Sequence, residues 1–234
     1  PDAMAELKNA SSVVNIIVHG VGLSIGSHDG YSQRYIQLLD DFMSQIDVVW
    51  HSEHLGYTMV DGEQLGTMLA LPKTRQMFDM ICERVQTIRQ RYEKPFLLEN
   101  IVHILPDYQG DYSDAGFLNA LTETTGCGLI VDVYNLECDA HNYDFDVPAF
   151  LHELHLENAW EIHLAGGVEQ KGFKLDVHSR LTQASTIALA NDVLRMAQGA
   201  VKVVTYELLA EAVSSVGHDN IAAELTRLRQ SLLN

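Results

Sequence analysis

The sequence predicts an α/β protein built on parallel strands, on three observations. Six short runs rich in aliphatic and β-branched residues are nearly continuous in hydrophobicity, as strands covered on both faces are. Helical patterns separate them, and alternating strand and helix requires parallel pairing with right-handed crossovers, leaving a doubly wound sheet or a (β/α) barrel. At 234 residues with 47% hydrophobic residues, the chain is long enough to bury one large core, so a single domain over residues 1–234 is expected.

The elements follow in chain order. AMAELKNASS, near the start, reads as the end of a helix. VVNIIVHG from Val13 is the first strand, and HGVGLSIGS after it matches neither GxGxxG nor the P-loop, which argues against a phosphate cradle. YIQLLDDFMSQ is helical, IDVVWHS from Ile46 is the second strand, and residues 57–71 read as a long loop. TRQMFDMICERVQTIRQRY leads as a helix into the third strand, KPFLLEN from Lys94, and DAGFLNALTETTG into the fourth, GLIVDVY from Gly128. VPAFLHELHL precedes the fifth strand, AWEIHLA from Ala159, and residues 168–181 read as a second long loop. TIALANDVLRMAQ, the sixth strand KVVTYEL from Lys202, and the helix IAAELTRLRQSLL complete the chain. The two long loops carry Gly, Asp and His and are expected to shape a site.

Composition narrows the function. With 15 basic against 32 acidic residues, the formal charge of −17 repels a polyphosphate backbone, so nucleic acid is excluded as a partner. Neither a run of 18 apolar residues nor a basic-then-hydrophobic N-terminus is present, so no membrane partner is expected and a cytoplasmic location is the default. Cys82, Cys127 and Cys138 form no CxxC pair and read as buried small apolar residues in a reducing compartment.

Barrel enzymes collect their chemistry where strands end, and all six runs end on a metal-ligand type. These are His19, His54, Glu99, Asp132, His163 and Glu207, with Asp176 and His178 added by the loop after the fifth strand. Given 32 acidic residues and 11 histidines, a three-residue window holds one roughly 45% of the time, so six in a row have odds of about 1%. Each residue also has a plain structural reading: His19 as a strand-end histidine bonded to backbone, Asp176 and His178 as a turn, Glu207 as half of a salt bridge. Asp132 and Glu99 are harder to explain that way, because a carboxylate ending a buried run is costly unless paired or metal-bound. Which of Glu53 and His54 points inward is open at this level. His28, His51, His103, His152, His155 and His218 read as surface, helix or supporting histidines. Imidazole and carboxylate without thiolate favour iron, manganese or zinc, and eight candidate groups suit more than one ion.

Taken in order, HGVGLSIGS, SEHL, FLLEN, TGCGLIVDVYN with AHN, EIHLAG, DVH and YE resemble the multinuclear non-haem iron-dependent oxidative enzymes, which include the methanobactin and bufferin maturases. The resemblance runs from about Val13 to the end. It implies a TIM-type (β/α) barrel, xylose-isomerase-like, whose first two strands are apparently lacking in this chain, through loss of an N-terminal portion or through divergence with a partner closing the edges. It also implies two or three iron ions and O₂ acting on cysteines of a ribosomally made precursor peptide, which a separate leader-binding protein delivers. Its implied metal ligands are His19, His54, Glu99, Asp132, Asn135, His163, Asp176, His178 and Glu207, with Asp132, His163 and Glu207 as the catalytic candidates. Three positions depart from the pattern. Leu208 stands where the family has aspartate, Tyr143 where it has an acidic residue or histidine, and Gly167 where EIHLAG is followed by a second histidine. Zinc or manganese in place of iron, a divalent-metal sugar isomerase or phosphodiesterase, and a degenerate non-catalytic barrel subunit are the competing readings; a homo-oligomer is compatible with all of them.

Overall fold

The computed structural model describes residues 3–105 and 110–232. Contacts divide these into two compact units. The first comprises residues 3–101, 110–113 and 120–128, and the second residues 102–105, 114–119 and 129–232.

In the first unit, helix α1 (Ala3–Ser11) precedes strand β1 (Ile16–Gly20), α2 (Gln33–Met43) and β2 (Val48–His54). A hairpin of β3 (Gly56–Val60) and β4 (Glu63–Ala70) leads to α3 (Arg75–Tyr92) and β5 (Phe96–Glu99). Strands β1, β2 and β5 pair in parallel, with His19 opposite Ser52 and His54 opposite Glu99. Helix α3 buries Phe78, Ile81, Cys82, Val85 and Ile88, the spacing of one helical face, and Thr74 caps its N-terminus by accepting from Met77 N–H.

Helix α4 (Asp114–Thr125) leads to β6 (Gly128–Asp132). In the second unit follow α5 (Val133–Tyr143), α6 (Val147–Glu153), β7 (Ala159–Leu164), a short hairpin of β8 (Val168–Gln170) and β9 (Phe173–Leu175), α7 (Ala184–Met196), β10 (Val203–Tyr206), α8 (Ala210–Val216) and α9 (His218–Leu232). Strands β6, β7 and β10 pair in parallel, placing Asp132 opposite His163 and His163 opposite Thr205. All five residues of β6 are buried, as the run GLIVD predicts.

The sequence reading needs three corrections. Residues 57–71 are mostly the β3–β4 hairpin, turned by Asp61 and Gly62, both at positive φ. The start of 168–181 is likewise the β8–β9 hairpin, turned by Lys171 and Gly172 at positive φ. The run GLIVDVY does not continue as a strand past Asp132, because the Asp132 carboxylate caps α5 by accepting from Asn135 N–H at 2.6 Å and turns the chain into a helix.

All three cysteines are buried thiols, as read from the sequence. Burial pushes the Cys127 thiol up to about 11, and raises those of Cys82 and Cys138 as well. Thiolate is the reactive form, so at pH 8 a disulfide reagent is expected to label no thiol rapidly in the native protein and all three after denaturation. Rapid native labelling would contradict this packing.

In the second unit Glu224 on α9 ties that helix to the chain ahead of α7. Its carboxylate accepts from Thr182 N–H at 2.9 Å and from Arg227 Nε at 2.8 Å. Burial alone would raise its pKa, but the bonds from Arg227 and Thr182 outweigh it and hold the group below its ordinary value. A lowered folded-state pKa gives stability that is present above the unfolded value of about 4.3 and is lost as pH falls through the folded value. Thermal melts of Glu224→Gln should therefore fall below wild type at pH 7, with the gap closing below about pH 4.

Candidate metal centre

The first unit assembles one cluster. Alternation along β2 sends Ser52 and His54 to one face, toward His19 and Glu99, and His51 and Glu53 to the other. His54 Nδ1 donates to the Gly20 carbonyl at 3.0 Å. The Ser52 hydroxyl donates to the Val18 carbonyl at 3.1 Å, so it must accept from His19 Nδ1, 3.0 Å away. Both rings thus carry a proton on Nδ1, and in the neutral form both present Nε2 lone pairs. The two Nε2 atoms stand 3.4 Å apart, and Glu99 Oε2 lies 2.9 Å from that of His19 and 3.5 Å from that of His54. Glu99 is 1% exposed. Two partly buried imidazoles and a buried carboxylate thus converge, an arrangement that a cation would stabilise.

The spacings suit that reading. Bonds of about 2.1 Å to a metal put neighbouring ligand atoms roughly 3.0 Å apart in an octahedron and roughly 3.4 Å apart in a tetrahedron. The donor set of His19, His54 and Glu99 fits an ion of the iron, manganese or zinc type and contains no thiolate.

The second unit assembles another. Ligand atoms of Asp132, His163 and Glu207 lie within 4.8 Å of one another. Glu207 Oε2 is 3.5 Å from His163 Nδ1 and 3.6 Å from His178 Nε2, repeating the pattern of one carboxylate oxygen flanked by two imidazoles. Asp176 Oδ1 stands 2.9 Å from His178 Nε2. His178 holds φ 42°, a conformation uncommon for a residue with a Cβ and one that clusters at functional sites. Asp132 has no exposed surface and Asn135, in the first turn of α5, is 3% exposed.

Three supporting residues escaped the sequence reading. Glu161 Oε1 stands 3.2 Å from His163 Nε2 and accepts from Thr205 Oγ1 at 2.5 Å, so a buried carboxylate faces the ring nitrogen that points away from Glu207. Ser52 does the corresponding work for His19. Glu161 precedes His163 by two residues, the period that puts both on one face of a strand, and Ser52 precedes His54 in the same way. Among the histidines set aside, His103 is held by Asp139, with Nδ1 2.6 Å from Oδ2, and His51 is 1% exposed against Phe96. His141 is exposed, with Nε2 3.2 Å from the Gly172 carbonyl.

The departures have local causes. A Cβ at Gly167 would overlap the Leu175 carbonyl oxygen and come within 2.8 Å of the Tyr134 hydroxyl, so β9 closes the space a histidine would need. Tyr143 donates its hydroxyl to the Ile104 carbonyl at 2.6 Å, and its ring meets that of Phe173 in a T-shaped contact. Leu208, half-buried, carries no ligand atom.

Solved structures place the fold. The chain resembles D-psicose 3-epimerase from Clostridium cellulolyticum H10 with a TM-score of 0.59 at 10% identity, over 98% of this chain and 83% of that one. It resembles the 3-keto-D-glucoside 4-epimerase of E. coli with a TM-score of 0.58 at 15% identity, over 96% and 85%. The protein is therefore an α/β protein of the xylose-isomerase-like TIM-barrel type, with candidate metal ligands at its strand ends. The chain belongs to the family described as RiPP precursor modification enzyme MbnB/TglH/ChrH, whose model matches residues 1–224; this is a family of peptide-modifying enzymes. Curated relatives include UPF0276 proteins of Anaeromyxobacter sp. (strain Fw109-5), 30% identical over 82% of this chain and 68% of the relative, and of Bordetella pertussis (strain Tohama I / ATCC BAA-589 / NCTC 13251), 34% identical over 70% and 56%. The matched part of the chain spans about three fifths of the length of several of these relatives. No described helix is long and apolar enough to cross a membrane.

Proposed function

We propose that the protein oxidises cysteine residues of a ribosomally synthesised precursor peptide, using O₂ and two or three iron ions held by its strand-end ligands. The observation that carries this reading is the recurrence, in a family of peptide-modifying enzymes, of a carboxylate oxygen flanked by two imidazole nitrogens. In the first unit the ligands are His19, His54 and Glu99. In the second they are Asp132, His163, Asp176, His178 and Glu207, with Asn135 on the same helix turn as the Asp132 cap.

Iron, when bound, would activate O₂, which is the oxidant, and would accept a thiolate ligand. The chain's residues do the rest. Ser52 and the Gly20 carbonyl fix the proton positions on His19 and His54, so both Nε2 atoms stay available. Glu161 and Thr205 hold His163 with Nδ1 toward Glu207. A substrate thiol would be held at the site as thiolate, and the chain's own cysteines, all buried, take no part. Asp132, His163 and Glu207 are the residues whose loss should cost activity most. A leader-binding partner presents the peptide, and a homo-oligomer is compatible with the arrangement.

The test is oxidation of a cysteine-bearing precursor peptide under air by the iron-loaded protein, followed by mass spectrometry. Loss of hydrogens or gain of oxygen at cysteine is expected with iron and absent with zinc. Equal turnover with zinc or manganese and no need for O₂ would replace this reading with a divalent-metal one.

A further inference from the structure

We infer that Tyr35 and Glu53 are positioning residues for the candidate ligand His54, acting through the Gly20–Gly22 backbone. They lie on the side of β2 away from His54. Glu53 is 1% exposed and sits opposite Gly20 in the β1–β2 register. The Tyr35 hydroxyl, from α2, donates to Glu53 Oε1, and the Tyr35 ring packs against Gly22. A Cβ at Gly20 would overlap both the Tyr35 hydroxyl and the Glu53 carboxylate, and one at Gly22 would overlap the Tyr35 ring. HGVG is thus a seat for a tyrosine, and its glycines are required by that close approach.

The consequence lies on the other side of the strand. Gly20 contributes the carbonyl that accepts from His54 Nδ1 at 3.0 Å, and this bond decides which ring nitrogen is left for a cation. Glu53 therefore holds Tyr35, Tyr35 holds Gly20–Gly22, and the Gly20 carbonyl holds the His54 tautomer. Burial and the neighbouring Glu53 charge keep the Tyr35 hydroxyl protonated, so it remains a donor. Outer partners of this kind change metal affinity by roughly 10–100-fold when removed, without touching the metal.

The inference rests on the reading of His19, His54 and Glu99 as a metal site, and two readouts separate them. The first is the His54 tautomer in metal-free protein, from ¹⁵N-imidazole correlation spectra. Wild type is expected to show Nδ1–H alone, and Tyr35→Phe, which keeps the ring on its glycine seat, a mixture of tautomers. The second is Co²⁺ titration in a Glu207→Gln background, so that the first cluster is read. There Tyr35→Phe and Glu53→Gln should each bind about 10-fold more weakly. Tyr31→Phe, which removes another tyrosine hydroxyl in the same unit, one bonded to the Arg84 carbonyl at 2.9 Å, should change neither readout. If circular dichroism reports a lost fold in Glu53→Gln, Tyr35→Phe decides. An unaltered tautomer and affinity in Tyr35→Phe, or an equal loss in Tyr31→Phe, would overturn the inference alone. Absence of Co²⁺ binding by the parent would overturn the metal reading and this inference with it.

Discussion

Glu99→Gln is expected to weaken metal binding by the first cluster on the order of 100-fold while leaving the metal-free protein at least as stable as wild type at pH 8. The two signs have one cause. Burial penalises the Glu99 charge, and a cation bound between it and the two imidazole Nε2 atoms would offset that penalty. Glutamine has the same shape without the charge, so it removes both the cost and the benefit. Thermal melts with and without added metal, together with a chelator-competition titration, measure both halves. A metal-free Glu99→Gln that melts well below wild type would make Glu99 a structural ion-pair partner instead. Sites that trade stability for function in this way are common.

Gly167→Ala is expected to destabilise the protein by about 3 kcal/mol. The overlap of its Cβ is with the Leu175 backbone carbonyl, which unlike a side-chain tip has no other rotamer to adopt. To admit it, the β8–β9 hairpin must shift. That hairpin is fastened to α5 by a reciprocal pair, Asn142 Nδ2 donating to the Lys174 carbonyl and Lys174 N–H to Asn142 Oδ1, both at 2.9 Å, and by Lys174 with Glu137. A chain of this size should lose roughly 6–12 °C in Tm for that cost. Gly167→His should be destabilised further and gain no metal. A variant as stable as wild type would mean that this hairpin adjusts freely.

Much of the fold was legible because parallel strands covered on both faces advertise themselves. FLLE and GLIVD are buried at every position, and their terminal Glu99 and Asp132 stand out because nothing else in the runs is polar. What was missed lay where hydrophobicity carries little information. The β3–β4 hairpin is largely exposed along β4, so no buried stripe marked it, although Asp61-Gly62 is a pair suited to a tight hairpin turn. Helix α5 begins with Val133 and Tyr134, which extended the strand by composition, while the deciding signal was Asp132 as a helix cap. Asp176 and His178 lie in the loop after β9 and Asn135 in the first turn of α5, whereas the other six candidate ligands could be proposed from strand ends. Their supports could not, since Ser52 serves His19 across a strand pair and Thr205 reaches His163 through Glu161. Such partners depend on register, which only the fold supplies.

The central claim, that strand-end histidines and carboxylates hold redox metal, is tested most directly by metal analysis of protein purified without oxygen and reconstituted with Fe²⁺. The account predicts two or three irons per chain in wild type, with Glu99→Gln and Glu207→Gln each losing part of that content while retaining the fold. Wild-type protein that retains no iron, or variants that retain all of it, would contradict the account.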